Sequence, residues 1–156
     1  MIFELNHIWT ITLNFLLMFI FQFGPALLCM MIPVNFFSID KWFFRTRVWE
    51  GGGAFYKRYF KVNKWKHLLP DGAGFLKKGF PKRKLKEKSI GYLELFMKET
   101  CRAEMTHWLA ILPIPIFLLW NPWWSMMILI TYALIVNVPC IITQRYNRAR
   151  ILKIIK

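Results

Sequence analysis

An all-α membrane fold is what this sequence predicts: a small polytopic protein with about three transmembrane helices, one N-terminal and then a C-terminal helical hairpin, plus amphipathic interfacial helices on the cytoplasmic side. Three observations predict it. Of 156 residues, 56% are hydrophobic and 18% aromatic, with eight Trp and fifteen Phe, more than a water-soluble core of this length calls for. The formal net charge of +14 is segregated, with no Lys or Arg before Lys41 and none between residues 103 and 142. The segments free of basic residues are apolar and long enough to approach the thickness of a hydrocarbon core, about 30 Å.

Taken in order, residues 8–34 form the first span, with Gly24-Pro25 as an expected kink and Pro33 marking its inner end. Met1 to His7 carries Glu4 and no Lys or Arg, so a cleaved signal peptide fits badly and the segment is expected to stay as a span. Residues 41–102 are a basic-aromatic cytoplasmic segment, in which Trp42, Phe43, Phe44, Trp49, Phe55, Tyr56, Tyr59, Phe60 and Trp65 alternate with Arg and Lys. Such mixtures lie in the headgroup plane. Gly51 to Gly53 lacks the Lys-Ser/Thr of a P-loop and a preceding strand, so it is read as a hinge between two interfacial helices. Pro70-Asp71-Gly72 is expected to turn.

Lys77 to Lys88 holds seven basic residues and one acid, which fits a solvated, lipid-adhering stretch or an electrostatic funnel for a polyanion such as coenzyme A. The series Ile90, Leu93, Met97, Cys101, Met105, Trp108 steps by three and four, the signature of one amphipathic helix. It feeds the second span, 103–120, where Pro113 and Pro115 remove backbone donors and should bend or unwind the helix. Asn121-Pro122 turns into the third span, 123–142, and a basic tail covers 143–156.

The distribution of basic residues sets an orientation. The N-terminus and the Asn121-Pro122 turn face outward, while the central segment and the C-terminal tail share the cytoplasm of a multi-pass cell-membrane protein. Anionic inner-leaflet lipids are therefore the expected partners of the basic belt, in preference to nucleic acid. Three cysteines without CxxC spacing argue against a disulfide or zinc framework, and His7 and His67 stand too far from His107 to suggest a metal site.

The sharpest chemical signal is Arg102-Ala103-Glu104-Met105-Thr106-His107-Trp108. From Trp108 to Trp120 the apolar run covers only about 20 Å, so the helix recruits its flank and draws Glu104 and His107 to the membrane interface. At i and i+3 the two share a helix face, and the carboxylate could orient the imidazole as a base. The same pair also fits a structural role, bracing the helix where it meets the membrane. Counting outward from the hairpin turn puts His107 level with about residue 136, which makes Asn137 its polar neighbour. Just beyond, Gln144, Arg145, Asn147 and Arg148 bring amides and guanidiniums to the same interface.

Arg102-Ala-Glu-x-x-His-Trp108, Asn137-x-Pro139, Gln144-Arg-Tyr-Asn-Arg148 and Lys64-Trp-Lys-His67-x-x-x-Asp71-Gly72 together resemble the glycosyl-4,4'-diaponeurosporenoate acyltransferase family, over most of the chain from about Trp42. The resemblance implies an enzyme of staphyloxanthin-type carotenoid biosynthesis that places a fatty acyl group on a glucose hydroxyl of a glycosylated carotenoid acid. It implies catalytic roles for Glu104 and His107, and substrate-binding roles for Arg102, Asn137, Gln144, Arg145, Asn147, Arg148, Lys64, Lys66, His67 and Asp71. Ala149 stands where the family's pattern suggests proline, a departure that touches the tail's geometry. No cofactor is expected beyond the donor substrate, acyl-CoA or an acyl carrier protein. Lys64, Lys66 and Arg148 are the candidates for the donor's phosphates, and Asn137 or Arg145 for the oxyanion. No Gly-x-Ser-x-Gly elbow is present, so direct transfer is preferred to a covalent acyl-enzyme. A nonenzymatic lipid-binding scaffold, or an enzyme acting on a polyprenyl-linked or phospholipid substrate, remains the alternative. Association into a homo-oligomer could complete the site of so small a membrane protein.

Overall fold

A computed structural model of the chain describes residues 2–70, 80–81, 85–87 and 89–155; Asp71, the Pro70-Asp71-Gly72 turn beyond Pro70 and most of the Lys77 to Lys88 run lie outside the described residues. Regular structure among the described residues is entirely helical. The α-helices are α1 (His7–Met31), α2 (Ala54–Tyr59), α3 (Val62–Trp65), α4 (Ile90–Ile111) and α5 (Trp123–Ile155), and 3₁₀ turns cover Val48–Gly53 and Ile114–Leu119. Two helices, α1 and α5, are long and apolar enough to cross a membrane.

The segment 103–120 is not a third helix of that kind. Helix α4 runs through it only as far as Ile111, and Pro113 and Pro115 convert its continuation into the 3₁₀ helix Ile114–Leu119, because each proline lacks the amide hydrogen that an α-helix requires. The other departure is at the C-terminus. Residues 143–155 of the tail are not a separate element but continue α5, which runs unbroken through Pro139 for 33 residues, about 50 Å. No Gly or Pro follows Pro139 to stop it.

The chain divides into two compact units, Met1–Met31 with Met105–Val138, and Ile32–Glu104 with Pro139–Lys156. Helices α4 and α5 contribute to both.

In the first unit, one face of α1 (Leu13, Leu17, Met18 and Phe21) packs against Ile114, Phe117, Trp120, Met126 and Ala133. These α1 positions recur at three- and four-residue steps, the period that keeps side chains on one stripe. The rest of α1 is also apolar but faces outward: Phe15, Phe19, Phe23, Leu27 and Leu28 are all exposed. A knot of amides holds the stripe to the Asn121-Pro122 turn. Asn14 and Asn121 exchange side-chain hydrogen bonds of 2.8 and 2.9 Å, Trp120 Nε1 donates to Asn14 Oδ1 at 2.8 Å, and Asn121 Nδ2 also donates to the Phe117 carbonyl at 3.0 Å. The amides of Ile2 and Phe3 donate to the Leu119 carbonyl, so the N-terminus lies at the same end as the turn.

In the second unit, Leu93, Phe96 and Met97 of α4 pack on Ile151 of α5, and Tyr56, Val62 and Tyr146 form a second core beneath the aromatic segment. The amphipathic reading of α4 holds for Leu93, Met97 and Cys101, which are buried, whereas Ile90 and Trp108 are exposed. Phe37 and Phe44 are also buried, and edge-to-face contacts link Phe43 with Phe44 and Trp49 with Phe55. The helices flanking Gly51 to Gly53 are only one or two turns long.

Candidate functional site

Besides the amide knot at the Asn121-Pro122 turn, each unit carries a polar cluster. In the first, His107 of α4 and Asn137 of α5 meet with Nδ1 and Oδ1 2.9 Å apart, the neighbour relation expected from counting along the hairpin. Asn137 is fully buried, and its amide orientation is set from the other side: Nδ2 donates to the Ala133 carbonyl at 2.9 Å and to Gln22 Oε1 at 3.2 Å. With Nδ2 committed in that way, Oδ1 accepts, and His107 Nδ1 must carry the hydrogen. The neutral ring then has its lone pair on Nε2, the state a general base needs. Gln22 Nε2 reaches Asn137 Oδ1 through a long contact of 3.4 Å, which completes an amide pair between α1 and α5.

The second cluster is ionic and buried. Glu104 is wholly buried; its Oε1 accepts from Arg145 Nη1 at 2.9 Å and its Oε2 from Arg148 Nη2. Arg145 also donates to Glu50 Oε1 at 2.9 Å, to the Tyr56 hydroxyl at 3.2 Å and to the carbonyls of Arg45 and Phe43. Its five donors are thereby spent on the protein. Arg148 is wholly buried as well, with Nη1 3.3 Å from Cys101 Sγ and its guanidinium 6.0 Å from the Phe44 ring centroid. Two carboxylates and two guanidiniums thus neutralise one another where charge cannot be left alone.

Titration follows these surroundings. Burial, and then the neighbouring Glu50 carboxylate, push the Tyr56 hydroxyl up to about 12. Burial pushes the Cys101 thiol up to about 11, which suppresses the thiolate that a covalent acyl-enzyme would need. No disulfide joins Cys29, Cys101 and Cys140.

The other residues singled out in the sequence are dispersed. Arg102 pairs with Glu99 at 2.8 Å, donates to the Ile32 carbonyl at 3.2 Å and lies 5.5 Å from the Phe37 ring centroid. Gln144 is partly buried with Oε1 unpartnered, and Asn147 is half-buried on the same helix. Lys64 and His67 are exposed, whereas Lys66 lies 5.1 Å from the Tyr146 ring centroid. Burial, with the Arg150 charge second, lowers the pKa of Lys66.

Sequence reasoning did not find Gln22, Asn14 or Glu50. Glu50 had a readable signal, as the one acid in the strongly basic stretch from residue 41 to 70. Its Oε1 caps the Val48–Gly53 turn by accepting from the Arg47 amide at 2.8 Å. The signal for Gln22 and Asn14 was weaker: two amides eight residues apart on an otherwise apolar helix.

Comparison with known proteins bears on what these clusters serve. Residues 40–156 match the family model described as glycosyl-4,4'-diaponeurosporenoate acyltransferase. A protein of that name from Staphylococcus haemolyticus (strain JCSC1435) is 34% identical over 130 residues, covering 83% of this chain and 75% of the relative. Proteins of the same name from Staphylococcus aureus strains MRSA252 and bovine RF122 / ET3-1 are 38% and 37% identical over 137 residues, 88% of this chain and 82% of each relative. No solved structure matches. The chain therefore belongs to the glycosyl-4,4'-diaponeurosporenoate acyltransferase family and is an acyltransferase.

Proposed function

We propose that the protein is an integral membrane enzyme that moves a fatty acyl group from a thioester donor onto a sugar hydroxyl of a glycosylated carotenoid acid, or of a closely related glycolipid. The observation that carries the mechanism is the His107–Asn137 contact, which puts the ring hydrogen on Nδ1 and the basic lone pair on Nε2. Membrane residence is supported by α1 and α5 and by the lipid-like exposure of Phe15, Phe19 and Phe23. In this reading residues 103–120 cross as a third, proline-broken segment. The shared end of the N-terminus and the Asn121-Pro122 turn fits an outward placement of both, with the basic segment and the C-terminus in the cytoplasm.

In the reaction, Nε2 of His107 takes the proton of the sugar hydroxyl as its oxygen attacks the thioester carbonyl. The carbon–oxygen bond forms, the carbon–sulfur bond breaks, and the departing thiolate recovers the proton from the imidazolium. Gln22, whose amide is held only by long contacts, is placed to donate to the carbonyl oxygen, and Asn137 fixes the tautomer. Glu104 serves the fold by holding Arg145 and Arg148, which it binds directly.

The test is to incubate membranes containing the protein with acyl-CoA or acyl carrier protein and a glycosylated carotenoid acid, and to follow the ester by mass spectrometry. Appearance of the acylated glycoside with release of one thiol per ester is expected. Consumption of thioester without glycoside acylation would refute the acceptor assignment.

A further inference from the structure

The Gly51 to Gly53 turn is more than a hinge. All three glycines have positive φ, +54°, +62° and +93°, a run that residues with a Cβ adopt only with strain. The turn is also pressed against α5: a Cβ on Gly52 would come 3.1 Å from Lys153 Cδ, and one on Gly53 3.1 Å from Arg150 Cγ and 3.2 Å from Tyr146 Cδ2. Bare backbone on one side and the stems of two basic side chains on the other leave an open pocket of about 470 Å³, within the range of small-ligand sites. Lys57 and Asn63 complete its wall.

Its charge is one-sided. Among the described residues, Lys57, Arg150 and Lys153 line it and no carboxylate does. Among the described residues neither Lys57 nor Lys153 enters an ion pair, and the nearest acid in sequence, Glu50, is held by Arg145. Arg150 and Lys66 both approach the Tyr146 ring, with centroid distances of 5.6 and 5.1 Å, and Lys66 holds its proton less firmly because of burial and of Arg150. The buried guanidiniums of Arg145 and Arg148 in the same unit are matched to carboxylates, whereas the cations gathered at this pocket are not, a local charge that an anion would balance.

We propose that this pocket holds the phosphate groups of the acyl-thioester donor. The assignment rests on the acyl-transfer reading, because the thiol arm of both soluble donors carries phosphate esters and the sugar acceptor does not need any. It moves the donor's phosphate site from Lys64, Lys66 and Arg148 to Lys57, Arg150 and Lys153. Arg148 is wholly buried and bound to Glu104, and so is spent on the fold.

The experiment compares wild type with a Lys57→Gln/Lys153→Gln double variant, both substitutions being at exposed side chains. With the phosphate-bearing donor that the wild type uses, KM should rise about tenfold or more while kcat stays within about twofold, the pattern of lost ground-state binding. With an acyl N-acetylcysteamine thioester, which has no phosphate, the two proteins should turn over alike. An unchanged KM for the phosphate-bearing donor would overturn the proposal. So would a loss confined to binding of phosphatidylglycerol vesicles, which would assign the pocket to lipid headgroups. Equilibrium dialysis of labelled coenzyme A separates the two readings: retention by the wild type and loss by the double variant would uphold the phosphate site even if no acylated product formed, an outcome that sinks acyl transfer alone.

Discussion

Replacing Glu104 by Gln removes one negative charge and almost no volume, so it isolates the ion-pair contribution of the second unit. In the wild type, Glu104 is bound by Arg145 and Arg148, but the two guanidiniums are not equally dependent on it. Arg145 retains Glu50 at 2.9 Å, whereas Arg148 keeps only Thr100 Oγ1 at 3.5 Å and Cys101 Sγ at 3.3 Å while remaining fully buried. Removing one partner of a buried pair costs about 3–5 kcal/mol, and the surviving Arg145–Glu50 pair points to the lower end, about 3 kcal/mol. At about 2–4 °C per kcal/mol for a chain of this size, Tm in detergent should fall by about 6–12 °C, read by circular dichroism. Arg148→Met in the Glu104→Gln background removes the stranded cation and should recover part of the loss, with a coupling of about 2 kcal/mol in the double-mutant cycle. A Glu104→Gln protein melting within about 2 °C of wild type, or a double variant whose loss equals the sum of the singles, would refute the reasoning.

Three further outcomes are expected. Tyr56 has its folded pKa raised from 10.0 to about 12, so folding favours the neutral phenol; its stabilisation is complete below pH 10 and disappears as pH rises through 12. The Tm difference between wild type and Tyr56→Phe should accordingly shrink across that window, and a constant difference would contradict the assignment. Asn14→Leu strands Trp120 Nε1 and one amide of Asn121 and should cost about 1–3 kcal/mol by thermal melting, while an unchanged Tm would show that the amide knot does not fasten α1. Asn137→Leu removes the acceptor that fixes the His107 tautomer and should lower kcat by about 10- to 100-fold; retention of full kcat in the folded variant would separate Asn137 from the chemistry.

Much of this architecture is legible in the residues. Apolar length and the absence of Lys and Arg mark α1 and the first twenty residues of α5, 123–142, and the paired prolines 113 and 115 announce the 3₁₀ segment between them. The Asn121-Pro122 turn fixes the register of the hairpin well enough to place Asn137 beside His107. The basic tail concealed its own helicity, because a change from apolar to charged composition reads as the end of a span although nothing in it breaks a helix. The buried charges were the hardest to see. Arg145 and Arg148 look like surface anchors after a span, and only the packing of the 41–70 segment, which brings Glu50 and Phe44 against them, shows that they are interior. The glycine run had the opposite fault: its composition suggests freedom, while three positive φ angles and the close approach of Arg150 and Lys153 show a fixed wall.

The account turns on His107 as the base that activates the sugar hydroxyl, and one measurement reaches it directly: the single-turnover acylation rate of His107→Gln in membranes where its Tm matches wild type. The account predicts a loss of about 10²- to 10⁴-fold, with donor binding by coenzyme A dialysis unchanged. A folded His107→Gln enzyme that acylates its acceptor at the wild-type rate would contradict it.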